Sequence, residues 1–179
     1  RGILCGGGCF APWCTVNVLR TDGSVVPERI DAVSAGALVE VAGDGFAAVA
    51  CVVLSPCAPG DAAALRRVGS LGGITPWHPM HLRGAWHFPA VCGTPLGHFA
   101  PRATHVVNVV LAPTGAAPYA PLLVDGVPCV TLGHGLAERG AAHPFWGTAR
   151  VLAALRMHDG WADGRVVLGS PLRAPIGQL

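Results

Sequence analysis

The apolar runs of this chain are short, and glycine and proline stand between them. The longest uninterrupted run, Phe46 to Leu54, is nine residues. A helix spanning a bilayer needs about 20, so the chain is not expected to be transmembrane. Alternation and turn signals instead predict strands along most of the length. Thr15 to Arg20 alternates with β-branched residues, Thr21-Asp22-Gly23-Ser24 supplies a turn, and Ser24 to Val26 resumes. Ala37 to Val41 alternates, Gly43-Asp44-Gly45 turns, and Phe46 to Leu54 reads as a long buried strand. Further strands are predicted at 72–75, 86–88, 105–111, 122–124 and 127–131. Val16 to Gly23 and Leu122 to Gly126 echo each other, each running a strand into Asp-Gly. Near the end, Thr148 to His158 places Val151, Leu152, Leu155 and Met157 on one side of an amphipathic helix, with Thr148 as N-cap and Gly160 beyond the end. A short strand is expected at 165–168. The fold class is therefore mostly β, with an α/β appendage over residues 136–179.

Composition decides whether such a chain folds at all. Its 25 glycines and 16 prolines approach the level of disordered sequences, but 51% of residues are hydrophobic and only 12% charged. Mean hydropathy is +0.49. That is enough apolar material for a core. The net charge is +2, every basic residue is Arg, and the only adjacent pair is Arg66-Arg67. No nucleic-acid footprint is visible. The first residue is Arg rather than Met, and no charged-then-apolar leader follows, which reads as a fragment and leaves the compartment open. A monomer is expected. Seven cysteines (Cys5, Cys9, Cys14, Cys51, Cys57, Cys92 and Cys129) form no C-x-x-C pair, and the odd count leaves at least one thiol unbridged.

Two segments carry chemistry. Gly6-Gly7-Gly8-Cys9-Phe10 runs three glycines into a cysteine, and Ile74-Thr75-Pro76-Trp77-His78-Pro79 brackets a T-x-x-H with prolines. Either alone is common. Together and in this order, in a β-rich chain, they are much more specific.

Gly8-Cys9-Phe10, Thr15 to Gly23, and Ile74-Thr75-x-x-His78 together resemble a Hint domain, the autoprocessing module of hedgehog proteins and inteins. The wider pattern is similar to the Vint branch, whose Hint modules are attached to von Willebrand factor type A domains. It comprises Thr75-Pro76-Trp77-His78-Pro79 with Gly84 and Trp86, then Val107-Asn108-Val109-Val110-Leu111, Thr131-Leu132-Gly133-His134-Gly135, and His143-Pro144-Phe145-Trp146-Gly147-Thr148. The resemblance implies a horseshoe of curved antiparallel strands with pseudo-two-fold symmetry. It divides the chain into an upstream tail (1–8), a Hint core (9–135) and a C-terminal region (136–179) where a nucleophile or partner would dock.

The resemblance further implies that Cys9 attacks the Gly8 carbonyl to give a thioester, with no cofactor or metal. His78 would be the general acid for the departing nitrogen, and Thr75 would hold the same peptide. Water or an external nucleophile would then release the upstream segment, a von Willebrand A-type domain by resemblance. Two departures bear on this. Hedgehog domains place an Asp on a strand before the T-x-x-H, but Val52 to Cys57 holds none, so Ser55, Cys57 or a histidine such as His134 would take its part. Inteins end in His-Asn before a nucleophile, but Val130-Thr131 has no Asn, so only amino-side cleavage is expected. Two other readings use different residues: a zinc-dependent hydrolase built on His78, His81 and His87, or a non-catalytic β module stapled by disulfides.

Overall fold

The computed structural model describes residues 8–57, 64–97, 103–113 and 119–170. The upstream tail before Gly8, Cys5 within it, and the last nine positions of the C-terminal region lie outside the described residues. The architecture is mostly antiparallel β and closes no barrel. The strands are β1 (Thr15–Leu19), β2 (Val25–Arg29), β3 (Leu38–Val41), β4 (Gly45–Pro56), β5 (Arg66–Val68), β6 (Leu71–Ile74), β7 (Met80–Leu82), β8 (Ala85–His87), β9 (Thr94–Pro95), β10 (His105–Leu111), β11 (Leu122–Val124), β12 (Val127–Cys129) and β13 (Arg165–Val167). Two helices, α1 (Pro89–Cys92) and α2 (Ala149–Leu155), complete it. The single helix expected from the sequence is α2; α1 is one turn too short to leave a periodic signal.

Ten strands form one sheet, seven along the path β10-β4-β3-β11-β12-β7-β8 with β1, β2 and β13 branching from it, and β6-β5-β9 form a second. The long apolar run becomes β4, which lies against β3 over Gly45–Ala48 and against β10 over Val49–Pro56. Its side chains alternate between two cores. Val49, Val52 and Leu54 join Phe10, Ile74, Met80 and Val107 in the larger one. Cys51 and Val53 face the other way, into a core with Val110, Phe145, Trp146, Val151, Leu155 and Val166. Each such burial contributes roughly 1.5–3 kcal/mol. The C-terminal strand β13 pairs parallel with β4, placing Val166 opposite Val53. Thr148 caps α2 by accepting a hydrogen bond from the Arg150 N–H at 3.4 Å. The helix ends at Leu155, well before Gly160, because Met157 is 86% exposed and gives no apolar contact to continue for. That corrects the expected inward placement of Met157.

The two Asp-Gly turns do different work. Asp22 accepts hydrogen bonds from the Ser24 N–H (2.9 Å) and hydroxyl (2.6 Å), a local turn at the exposed β1–β2 end. Asp125 instead ties three segments together. Its Oδ1 accepts from the Thr15 N–H at 2.7 Å and the Thr15 hydroxyl at 2.9 Å, and its Oδ2 accepts from the Gly72 N–H at 2.8 Å. Its own N–H donates to Thr15 O, and its carbonyl accepts from the Ser70 hydroxyl. No helix among the described residues is long and apolar enough to cross a membrane.

Candidate active site

The chain entering at Gly8 is inserted between the two sheets. Phe10 bridges Ile74 of β6 on one side and Val107 of β10 on the other. Its N–H and carbonyl both bond to Val107 at 2.8 Å, and the Ala11 N–H donates to Gly73 O at 2.9 Å. Phe10 is fully buried and its ring lies 4.3 Å, centroid to centroid, from the His78 ring. Backbone pairing and side-chain burial together fix where the preceding peptide lies.

The T-x-x-H is a tight turn just past β6. The His78 N–H donates to Thr75 O at 3.2 Å, and Pro76 between them supplies the φ that such a turn needs. The turn delivers both side chains to one place. Thr75 pairs with Cys9 twice: its N–H donates to Cys9 O at 2.9 Å, and its Oγ1 accepts from the Cys9 N–H at 2.8 Å. The Gly8 carbonyl accepts from Asn108 Nδ2, and Asn108 Oδ1 accepts from the Val109 N–H at 2.8 Å, which fixes the amide with its NH2 toward Gly8. Both ends of the Gly8–Cys9 peptide are therefore held by side chains distant in sequence, Asn108 from β10 and Thr75 from the turn after β6.

His78 closes the site. Its ring is completely buried, and its Nε2 lies 2.9 Å from Val130 O. A carbonyl only accepts, so Nε2 carries the hydrogen and Nδ1 presents a lone pair. That Nδ1 is buried with no hydrogen-bond partner among the described residues. It lies 2.7 Å from where a Cβ on Gly8 would stand, and the ring carbon Cγ lies 2.6 Å from the same point. Gly8 also has φ of +70°, a conformation that residues with a side chain resist. Glycine is required there twice over, by backbone and by contact. Burial pushes the His78 pKa down to about 4, the hydrogen bond to Val130 opposes this, and His134 adds a small repulsion. No carboxylate contributes, so the ring is neutral near pH 7.

Gly8, Cys9, Thr75 and His78 thus converge, and Asn108 joins them. The others stand further off. Ser55 is buried in β4 opposite Val106. Cys57 is half-buried past the end of that strand, its N–H donating to Thr104 O. His134 lies on the Val130 side of His78, its Nδ1 accepting from the Leu136 N–H at 2.9 Å. Burial, then the neighbouring His143, lowers its pKa to about 4. Cys14 and Cys129 are buried thiols whose pKa values are pushed up, chiefly by desolvation, so both stay protonated near neutral pH. His78, His81 and His87 do not gather, and no group of three His, Cys, Asp or Glu among the described residues could hold a metal ion. The expected trio fails because the His78 ring turns inward to Val130 while His81 packs edge-on against Trp86.

Asn108 is the residue that sequence reasoning passes over. It appears in the family pattern as one letter of a strand. The available signal is its polarity: a lone amide in His105–Leu111, a strand otherwise rich in valine and buried on both faces, must find a partner inside.

A search of curated proteins finds no match to this chain. The sequence model of the Vint family, described as a Hint-domain, matches residues 8–175. The match begins at Gly8, the residue whose carbonyl Asn108 holds, and runs through Cys9, the T-x-x-H and the later motifs: the chain belongs to the Vint family of Hint domains, a self-processing class.

Proposed function

We propose that this domain severs its own Gly8–Cys9 peptide bond by an N-to-S acyl shift. The observation that carries the reading is the two-sided grip on that peptide beside a bare imidazole nitrogen. In the first step His78 Nδ1 takes the Cys9 thiol proton, since a neutral ring with its hydrogen on Nε2 is a base before it is an acid. The thiolate adds to the Gly8 carbonyl carbon, and the oxygen takes the negative charge against Asn108 Nδ2. The C–N bond then breaks, the proton on Nδ1 passes to the Cys9 nitrogen, and the Gly8 acyl group is left on sulfur as a thioester. Atoms balance without any outside reagent. Water or another nucleophile then takes the acyl group and releases the upstream protein.

Thr75 keeps the Cys9 N–H directed to one side throughout, so that the lone pair emerging as amide resonance is lost is held in a fixed direction. The reading also accounts for the missing carboxylate. A histidine held neutral by burial can accept the thiol proton itself, so neither Ser55 nor Cys57 is needed for that step.

The test is incubation of the purified protein with dithiothreitol, followed by mass spectrometry. Loss of everything upstream of Cys9 is expected, together with a thiol adduct on the released Gly8 carboxyl end. Cys9→Ala and His78→Ala should abolish it, and Cys51→Ala should leave it intact. A chain that stays whole under thiol, or a Cys9→Ala variant that still splits, would overturn the reading.

A further inference from the structure

Between the β5–β6 turn and the β7–β8 hairpin lies an open cavity of about 490 Å3, within the size range of ligand pockets. Val68, Leu82 and Val127 give it apolar walls, and Arg83 and His87 line it beside them. No Asp or Glu is among the lining residues, and no Phe, Tyr or Trp.

The charge imbalance begins in the sequence. Residues 62–124 hold four arginines, Arg66, Arg67, Arg83 and Arg102, and not one Asp or Glu. The first acid beyond them, Asp125, has both carboxylate oxygens engaged by Thr15 and Gly72. Arg66 donates to Gly93 O at 3.1 Å. The Arg83 side chain, by contrast, makes no hydrogen bond or ion pair to a described residue.

Arg83 also stands where its backbone is strained. Leu82 pairs with Ala85 across a two-residue turn, with φ of +50° at Arg83 and +82° at Gly84. Such a turn prefers Asn, Asp or Gly at its first position. The other two non-glycine residues of positive φ among the described residues, Asp44 and Asp125, are both Asp. An arginine held in a left-handed conformation without an acidic partner is strain with no structural gain, which points outward to a ligand.

We propose that this cavity is the docking site of a partner peptide that alternates apolar and acidic side chains, its apolar groups on Val68, Leu82 and Val127 and a carboxylate on Arg83. A nucleic acid or polyphosphate supplies the charge without the apolar contact, and finds no aromatic side chain among Phe, Tyr and Trp to stack on. The proposal stands apart from the cleavage reading, because binding is measured with no bond cut.

The test uses the full chain carrying Cys9→Ala, with 13C-labelled methyl groups, titrated with acetyl-LELEL-amide. The methyl resonances of Val68, Leu82 and Val127 should shift and saturate. The uncharged acetyl-LQLQL-amide should bind at least about fivefold more weakly, and tripolyphosphate should leave those methyls in place. Arg83→Asn suits the turn and removes the cation. It should therefore melt at or above the parent temperature while binding acetyl-LELEL-amide about fivefold more weakly. Shifts that grow linearly with peptide, a glutamine peptide that binds as well, or tripolyphosphate that saturates the same methyls would each overturn the proposal. So would undiminished binding in Arg83→Asn, or a fall in its melting temperature, which would assign Arg83 to the fold.

Discussion

Two polar clusters hold this molecule together, and only one of them is finished. Around Asp125, three hydrogen bonds to one carboxylate join β1, β6 and the β11–β12 turn, across sequence separations of 110 and 53 residues. Every acceptor there has its donor. Around Gly8–Cys9, groups from β10 and the Thr75–His78 turn meet across separations of 100 and 66 residues, but His78 Nδ1 is left over. A fully paired cluster has nothing left to do but resist unfolding. A cluster with one buried lone pair unspent has a cost to carry and a reaction to offer. On the proposed cleavage, contacts that are pure structure at Asp125 would serve as machinery at Gly8 by the omission of one partner.

The sharpest way to break that contrast is to delete the key acceptor or donor at each place. Asn108→Ala should slow thiol-induced cleavage by about 10²–10³, read by mass spectrometry over time. Asp125→Ala should instead lower unfolding free energy in urea by about 3 kcal/mol. At temperatures where it remains folded, it should cleave at near the parent rate. If Asp125→Ala slowed cleavage as much as Asn108→Ala while folded, the two clusters would not be distinct in kind.

A second test uses pH. His78 is neutral in the fold with its pKa near 4, against an ordinary value near 6.5. As pH falls from 6.5 toward 4, the unfolded chain binds a proton that the folded ring refuses, so stability is complete above 6.5 and is lost across that window. The loss from His78 is about 3 kcal/mol by the foot of the window, and His134, lowered to about 4 as well, adds to it. Urea midpoints measured from pH 7.5 down to 4 should show the decline, and His78→Gln should make it visibly shallower. A decline of unchanged steepness would mean that the ring is charged in the fold. Cleavage should fade over the approach to pH 4, since only the neutral ring can take the thiol proton. The smallest effect belongs to the other Asp-Gly turn. Asp22→Ala touches only Ser24 in solvent and should leave both the melting temperature and the cleavage rate unchanged.

The echo between the two Asp-Gly turns was visible in the sequence, but their difference was not. Nothing local distinguishes Asp22 from Asp125; the distinction is made by Thr15 and Gly72, which arrive from elsewhere in the chain. The same rule separates what could be read from what could not. His105–Leu111 and Leu122–Val124 were legible with their observed bounds because β-branched and apolar residues fill them. Arg66–Val68, Met80–Leu82 and Thr94–Pro95 are two or three residues long and owe their form to the strands beside them. At the site, Cys9, Thr75 and His78 stood out by residue type within motifs. Asn108 did not, because its meaning lies in the carbonyl it meets 100 positions earlier. The proton state of His78 was equally hidden, since it follows from burial and from Val130 rather than from any neighbour in sequence.

The clasp on Phe10 and Ala11 has a chemical corollary. Their hydrogen bonds to Val107 and Gly73 lie downstream of Cys9, so the proposed cleavage breaks none of them. In the proposed reaction the freed amine would therefore stay beside the ester of sulfur from which it parted. Under such confinement the acyl group could shuttle back, and the proposed scission would be a poised equilibrium rather than a one-way event. On the proposed route, commitment would come with whatever carries the acyl group off, so the timing of release would belong to the visitor and not to the blade.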